Sequence, residues 1–218
     1  MKKIQSSINN RFYTYYKQSI CADLLLKQNI ENILQIPKLE KIVLNTTSKV
    51  IRSDKKNIIP GLAALEFLSG QKQKTTSAYK SISGFKLREN QVIGCKVTLR
   101  DEIMFNFLEK LITIILPRIR HFRSIDFNVF DGKGNVSLGL SPLLIVPELE
   151  SYFEYFECIR GINITLVTTA SYCSSNWKLE HNLPVKNRSL RPPFFKSKMD
   201  QKTSLLLTGL QLPIMSKN

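Results

Sequence analysis

Residues 69–100 read SGQKQKTTSAYKSISGFKLRENQVIGCKVTLR, and this stretch organises the rest of the chain. Its segments 74–80 and 92–100 contain many residues that favour strands. A flexible turn with serines and Gly84 separates the two segments. The stretch carries seven lysines and arginines against one acid, Glu89. It predicts a basic pair of strands with a basic loop at the tip, which is a surface suited to phosphate.

The order of the other elements predicts an α+β fold. Hydrophobic periodicity indicates helices over residues 15–29, 53–70 and 101–116, with Ser53 or Asp54 capping the second and Asp101 the third. Pro60 kinks the second helix unless that helix begins near Ile59. We expect an antiparallel sheet with helices on one face, which leaves the other face open to a partner. The further predicted strands are 41–45, 127–130, 135–140 and 161–170.

The net charge of +15 over 218 residues is the strongest feature of the composition. Such an excess attracts polyanions, nucleic acid first and anionic membranes second. A hydrophobic fraction of 43% and a mean hydropathy of −0.12 indicate a folded chain. No apolar run has the length of a membrane span, and the basic start of the chain lacks the apolar core of a secretory signal. From residue 185 onward cations dominate and two prolines adjoin, so we expect an extended basic C-terminal arm.

The sequence does not support a metal centre or a catalytic site. Four scattered cysteines without a Cys-x-x-Cys pair, and only two histidines, give neither a zinc cluster nor a disulfide framework. Reduced thiols indicate an intracellular or organelle-matrix location. Residues 132–134 (GKG) do not match the phosphate loop of nucleotide hydrolases. Acids alternate with aromatic residues over 148–157, which favours a solvated or protein-docking surface over a paired-carboxylate site, and we expect no cofactor.

Two groups of residues are candidates for nucleic-acid binding. Lys80, Lys86 and Arg88 stand with Phe85 on the predicted loop, a combination that can hold phosphate and stack or wedge against a sugar or base. A solvated charged turn is the alternative. Neutral polar side chains on strands beside arginine suit RNA, because they can address 2′-hydroxyls and base edges, although threonine is also an ordinary strand residue. This second group is Asn45, Gln71, Thr98 and Arg100.

Five motifs in a fixed order resemble a known family. They are SGQK at 69–72, SGFKLR at 83–88, IGCKVTLR at 93–100, PRIRHFR at 117–123 and FDGKGN at 130–135. Together they resemble large-subunit ribosomal protein number five, the universal 5S-rRNA-binding family. The resemblance covers roughly residues 15–184. The segments 23–27 and 148–161 are most similar to the mitochondrial branch of that family.

The resemblance implies a fold similar to an RNA-recognition sheet and a non-catalytic role in the ribosome. The implied partners are 5S rRNA, other large-subunit rRNA, P-site tRNA and neighbouring ribosomal proteins, including one in the head of the small subunit. The positions matched to the rRNA face are Asn45, Thr46, Gln71, Lys72, Lys74, Lys96, Thr98 and Arg100. The positions matched to the loop that reaches tRNA are Lys80, Ser81, Gly84, Phe85, Lys86 and Arg88. After Asn45 the family usually has Met-Gly, where this chain has Thr46 and Thr47.

These expectations divide the chain into three regions. Residues 1–13 are an N-terminal extension, 14–184 are the RNA-binding α+β domain, and 185–218 are a basic C-terminal extension. We expect the mitochondrial matrix as the location, with a bacterial or plastid ribosome as the alternative. An RNA-binding module or RNA-modifying enzyme outside the ribosome is the alternative function, although no constellation of acid, base or metal ligands supports the enzyme. A basic adaptor on anionic membranes is less favoured, because the cations lie largely on strands and loops.

Overall fold

A computed structural model describes residues 10–28, 32–47, 55–120, 122–157, 159–171 and 198–214. The chain divides into two compact units. The first comprises residues 1–40, 121–137 and 166–218, and the second comprises residues 41–120 and 138–165. Ser53 and Asp54, the proposed helix caps, lie outside the described residues.

Five strands form one sheet in the order β2-β3-β1-β5-β4. Strand β3 pairs antiparallel with β1 on one side and with β2 on the other. The α+β fold with an antiparallel sheet is therefore confirmed. The strands are β1 (Leu39–Thr47), β2 (Lys74–Ser77), β3 (Val92–Leu99), β4 (Val136–Leu140) and β5 (Ile162–Thr168).

Helices account for most of the remaining regular structure. They are α1 (Arg11–Tyr15), α2 (Cys21–Gln28), α3 (Ile58–Ser69), α4 (Asp101–Lys110), α5 (Leu116–Arg118), α6 (Pro147–Glu150), α7 (Phe153–Phe156) and α8 (Lys198–Gly209). A π-helical turn, Tyr16–Ile20, links α1 to α2, and another, Leu111–Ile115, links α4 to α5. Within the described residues, no helix has the length and apolar character to cross a membrane.

The core of the second unit lies on one face of the sheet. Ile42 and Leu44 of β1 are register partners of Leu99 and Val97 of β3, and all four are at most 3% exposed. Helix α3 packs on β3 at this face, where a Cβ on Gly61 would lie 3.2 Å from the Sγ of Cys95. Burial raises the pKa of the Cys95 thiol to about 11, so this thiol stays protonated at neutral pH.

Pro60 does not break its helix, because α3 begins at Ile58 and places the proline in the first turn. Amide groups of the first turn have no acceptor within the helix, so proline removes no helical hydrogen bond there. The later start, one of the two possibilities that the sequence left open, is confirmed. The helix ends at Gly70, which has a φ of 64° and donates its N–H to the carbonyl oxygen of Glu66 at 2.8 Å.

Two local predictions are wrong. Residues Phe127–Val129 form a 3₁₀ turn rather than a strand, because the Val129 and Phe130 amides donate to carbonyls three residues back. Only an isolated bridge from Phe130 to Val136 remains of the expected pairing. Asp101 is not a cap either: it is the first residue of α4, and no side chain caps that helix at Arg100.

The C-terminal region contains a helix where the sequence predicted an extended arm. In the first unit, Leu206, Leu207 and Leu210 at the end of α8 and just after it are fully buried, and a Cβ on Gly209 would lie 3.1 Å from Ile20. The extended-arm prediction is therefore wrong for residues 198–209. That prediction depended on the cations and prolines before residue 198, whereas the leucines from residue 205 onward supply enough apolar surface for a helix to pack. Residues 172–197 of the chain lie outside the described part, and they include the first 13 residues of the predicted arm, 185–197.

Polar contacts in the first unit hold α8 against the turn before β4. The carbonyl oxygen of Gly134 accepts hydrogen bonds from the hydroxyls of Thr168 at 2.6 Å and Thr203 at 2.9 Å. The Gly134 amide donates to the Oδ1 of Asp200 at 3.1 Å. Gly134 has a φ of 84°, and a Cβ there would lie 2.9 Å from the Thr203 hydroxyl, so the turn requires glycine.

Candidate nucleic-acid interface

The second face of the sheet in the second unit carries polar and basic side chains. Alternation along a strand sends neighbouring residues to opposite faces, and register partners share a face. Asn45 of β1 faces Lys96 of β3, and Lys96 in turn faces Lys74 of β2. Val43 faces Thr98 on the same side of the sheet. We call these five residues, together with Thr76, the open face; Lys74 and Lys96 are exposed and the others are half-buried.

The strands approach one another closely at one end of the open face. A Cβ on Gly94 would lie 2.5 Å from the carbonyl oxygen of Thr46 and 2.6 Å from the Cγ2 of Thr47. No real Cβ tolerates such distances, so glycine is required for β1 and β3 to pair here. Thr47 of β1 and Thr76 of β2 are the register partners of Gly94, so their side chains lie on either side of a position without a side chain.

The six residues of the open face include two lysines and no acid. Strands β2 to β5 contain no acidic residue, and within the part of the chain that the structure describes no ion pair involves Lys74 or Lys96. Like charges directly opposite each other on neighbouring strands destabilise a sheet. Repulsion between the two lysines therefore lowers the stability of the folded sheet, and an anionic ligand would remove this repulsion.

An unpartnered polar atom lies beside these lysines. The Oδ1 of Asn45 is buried and has no hydrogen-bond partner. A buried acceptor without a donor costs about 1–3 kcal/mol. Asn45 is thus the third residue of this cross-strand row, after the two lysines, that has a polar group without a partner in the fold.

The structure brings four of the eight predicted rRNA-face residues together on the open face: Asn45, Lys74, Lys96 and Thr98. Gln71 and Lys72 precede β2, and Arg100 follows β3. Thr46 does not belong to this group. It lies on the buried face at 3% exposure and its hydroxyl donates to the carbonyl oxygen of Gly161 at 2.9 Å. The assignment of Thr46 to the RNA face is therefore wrong, because alternation along β1 points it into the core.

The predicted loop is a hairpin extension held by hydrogen bonds. Ile82 and Leu87 exchange two backbone hydrogen bonds of 3.1 Å each, and the hydroxyl of Ser81 donates to the Leu87 carbonyl at 3.1 Å. The left-handed residue of its turn is Lys86, with a φ of 51°, and not Gly84. A Cβ on Gly84 would meet nothing within 4 Å. The turn therefore depends on these hydrogen bonds rather than on the freedom of the glycine.

The functional groups of the loop point into solvent. Lys80, Lys86 and Arg88 are exposed, and their charged groups make no ion pair among the described residues. Phe85 is 61% exposed. Tyr79, which is not among the predicted loop residues, is 87% exposed directly before Lys80. In the sequence, the position of Tyr79 directly before a lysine of the loop was the signal that could have marked it as a candidate RNA-binding residue.

The acidic and aromatic segment 148–157 differs from the open face and the loop, because some of its charged side chains form ion pairs. Glu148 accepts from Lys110 at 2.6 Å and Glu150 from Arg118 at 3.3 Å. Aromatic rings in and near this segment are exposed, and Tyr152 stacks on Phe67 with centroids 6.1 Å apart. In the described ranges, no group of three metal-ligating side chains comes together.

Comparison with known proteins identifies relatives over most of the chain. A family model described as "Ribosomal protein L5" matches residues 32–88, and a model of the C-terminus of the same ribosomal family matches residues 92–214. The second match extends through α8. Two proteins named "Large ribosomal subunit protein uL5" from Buchnera aphidicola are similar: that of subsp. Schizaphis graminum is 45% identical over 160 residues, and that of subsp. Baizongia pistaciae is 47% identical over 158. These alignments cover 73% and 72% of this chain, and 88% and 87% of the relatives. The protein of that name from Chromobacterium violaceum is 42% identical over 160 residues, covering 73% of this chain and 88% of the relative.

Proposed function

The chain belongs to the ribosomal protein L5 family of the large ribosomal subunit, and from this premise we propose that its open face binds 5S rRNA. Membership in this family of structural ribosomal proteins also means that the chain is not an enzyme. The family establishes association with the large subunit and its rRNA. The choice of 5S rRNA, and of the residues that bind it, is our proposal.

The cross-strand row of Asn45, Lys96 and Lys74 carries the proposal. Two adjacent lysines without counter-ions supply the sequence-independent attraction to backbone phosphate. The half-buried amide side chain of Asn45 lies on the same face and can exchange hydrogen bonds with a ribose 2′-hydroxyl, the group that distinguishes RNA from DNA. Thr98 adds a hydroxyl to the same face. The row thus combines phosphate attraction with a group that addresses ribose.

The test compares two double variants that lose the same charge. Lys74→Ala with Lys96→Ala removes the cations of the open face, and we expect a large loss of affinity for 5S rRNA in a filter-binding titration. Lys17→Ala with Lys27→Ala removes two exposed lysines of the N-terminal helical region and should leave the affinity nearly unchanged. Equal losses in both variants would show that total charge, and not the open face, controls binding.

The hairpin loop is proposed to contact P-site tRNA. Three exposed cations and the exposed ring of Phe85 support this part of the proposal, because they suit a folded RNA surface. Removing Lys80, Lys86 and Arg88 together should weaken tRNA contact in assembled large subunits and leave 5S rRNA binding nearly intact. Loss of 5S rRNA binding in this variant would contradict the division between loop and open face.

Neighbouring ribosomal proteins, including one in the head of the small subunit, are the proposed partners of the acidic and aromatic segment 148–157. Glu154 and Glu157 are exposed there, and carboxylates repel the phosphates of rRNA. The exposed Tyr152, Phe153 and Tyr155 supply apolar contact area of the kind found in protein interfaces. Crosslinking from position 155 in intact ribosomes should yield protein adducts rather than RNA adducts.

The mitochondrial matrix is the proposed location, and a bacterial or plastid ribosome is the alternative. The mitochondrial assignment is based on the segments 23–27 and 148–161, whereas the relatives described above are bacterial and favour a bacterial ribosome. Sedimentation of the native protein with ribosomes from purified mitochondria tests the assignment. Co-sedimentation with mitochondrial large subunits is the expected result, and absence from them would favour a bacterial or plastid ribosome.

A further inference from the structure

Tyr79 has the largest exposed fraction, 87%, among the large apolar side chains that the structure describes as exposed. A single exposed aromatic residue is common on protein surfaces and needs no function by itself. The surroundings of Tyr79 are what give it significance. It stands where β2 passes into the basic hairpin loop, directly before Lys80.

The backbone beneath Tyr79 is fixed. The Ala78 amide donates to the carbonyl oxygen of Gln91 at 2.8 Å, and the Asn90 amide donates to the carbonyl oxygen of Ala78 at 3.0 Å. Ala78 itself is 7% exposed. The tyrosine therefore projects from an anchored position, and a side chain with two rotatable angles loses little entropy when it is covered.

Both faces of the Tyr79 ring are available to a ligand. In the described part of the chain the Tyr79 side chain makes no hydrogen bond and no ring contact. Tyr152, by contrast, is occupied by stacking on Phe67. The cations of the same loop, Lys80 and Lys86, are exposed and form no ion pair with a described residue, so a phosphate chain along the loop would bring its bases to the ring.

We propose that Tyr79 is a base-stacking residue, which takes one unstacked nucleobase of an RNA whose phosphates lie along the basic loop. This inference rests on the proposed contact between that loop and RNA, and it adds a contact that involves the base. Stacking of a base on an aromatic ring does not depend on which base is present. The residue therefore strengthens binding to an exposed base without selecting a sequence.

The experiment uses two probes of equal charge with the full-length protein. One is an eight-nucleotide oligoadenylate, and the other is the same ribose-phosphate chain without bases. The unmodified protein should prefer the oligoadenylate. In Tyr79→Ala, affinity for the oligoadenylate should fall about 5- to 150-fold, the equivalent of one lost stacking contact, while affinity for the abasic chain stays constant.

Three further variants make the result specific. Tyr79→Phe keeps the aromatic ring and should keep the preference for the base-bearing probe. Tyr79→Leu keeps apolar area without an aromatic face and should lose that preference. Tyr15→Ala removes a tyrosine that is 39% exposed on α1 and should behave as the unmodified protein.

The inference is overturned if Tyr79→Ala retains the preference, or if neither probe binds the unmodified protein. If Tyr79→Ala loses binding to phosphatidylglycerol vesicles while its RNA binding is unchanged, the ring serves a membrane surface, and this result also overturns the inference. Failure of the proposed loop function looks different: removing Lys80, Lys86 and Arg88 would then leave binding of the abasic chain unchanged.

Discussion

Lys74 of β2 and Lys96 of β3 are cross-strand partners, so the sheet holds two like charges side by side on its open face. Both side chains are exposed, and neither pairs with an acid in the described residues. A sheet selected only for stability would place an acid or a neutral residue opposite one of these lysines. This arrangement is expected where a phosphate chain supplies the missing counter-charge.

Replacing Lys74 by Thr should therefore stabilise the protein and weaken RNA binding. The free energy of unfolding should rise by about 0.2–1 kcal/mol at low salt, because a like-charge pair is removed while a good strand residue is introduced. Urea denaturation gives the stability and a filter-binding titration gives the affinity for 5S rRNA. A destabilised variant with unchanged affinity would mean that the lysine serves the fold.

Thr46→Val should have the opposite pattern, with lower stability and unchanged RNA binding. The variant keeps the shape of the side chain but removes the hydroxyl that donates to Gly161. The Gly161 carbonyl then loses a partner, and we expect a loss of about 0.5–1.5 kcal/mol in urea denaturation. A drop in RNA affinity at equal folded fraction would restore Thr46 to the interface.

The hairpin turn should respond to Lys86 rather than to Gly84. Lys86→Gly places glycine at a φ of 51° and should raise the free energy of unfolding by roughly 1 kcal/mol, because a side chain is strained there. Gly84→Ala should be neutral, since a Cβ at that position meets no neighbour. Thermal unfolding of both variants measures this. Destabilisation by Gly84→Ala alone would indicate that the glycine shapes the turn.

The sequence predicted the strands of the sheet better than the short segments between elements. β-branched residues and alternation located β1 and β3 because both strands have a buried face that reinforces the pattern. The run Phe127–Phe130 also contains residues that favour strands, but the Val129 and Phe130 amides donate to nearby carbonyls, and composition does not reveal where an amide donates. Thr46 was assigned to the wrong face because a motif match carries no information about alternation. Only the structure shows that the Tyr79 ring is exposed, because large aromatic side chains are buried more often than exposed.

Acid should remove a contribution of Asp131 to stability. Partial burial raises the pKa of this carboxyl, but hydrogen bonds from Asn135 and Lys133 outweigh that effect and the pKa is lowered overall. A lowered pKa means that the charged form stabilises the fold. Its contribution is full above the ordinary aspartate pKa and is lost as the pH falls through the lowered value.

We therefore expect Asp131→Asn to be less stable than the unmodified protein at neutral pH, with the gap closing in acid. Urea denaturation of both proteins from neutral pH down to about pH 2 measures the gap, a range that spans the ordinary aspartate value of about 3.9. A gap that widened on acidification would contradict the assigned direction of the shift.

The salt dependence of 5S rRNA binding tests the open face most directly. For the unmodified protein, the logarithm of the association constant should fall linearly with the logarithm of the salt concentration. Lys74→Ala with Lys96→Ala should reduce the magnitude of this slope by about 1.4–1.8, since two phosphate contacts are lost, while Lys17→Ala with Lys27→Ala leaves it unchanged. An unchanged slope in the first double variant would contradict the account, because the two lysines would then lie away from the RNA.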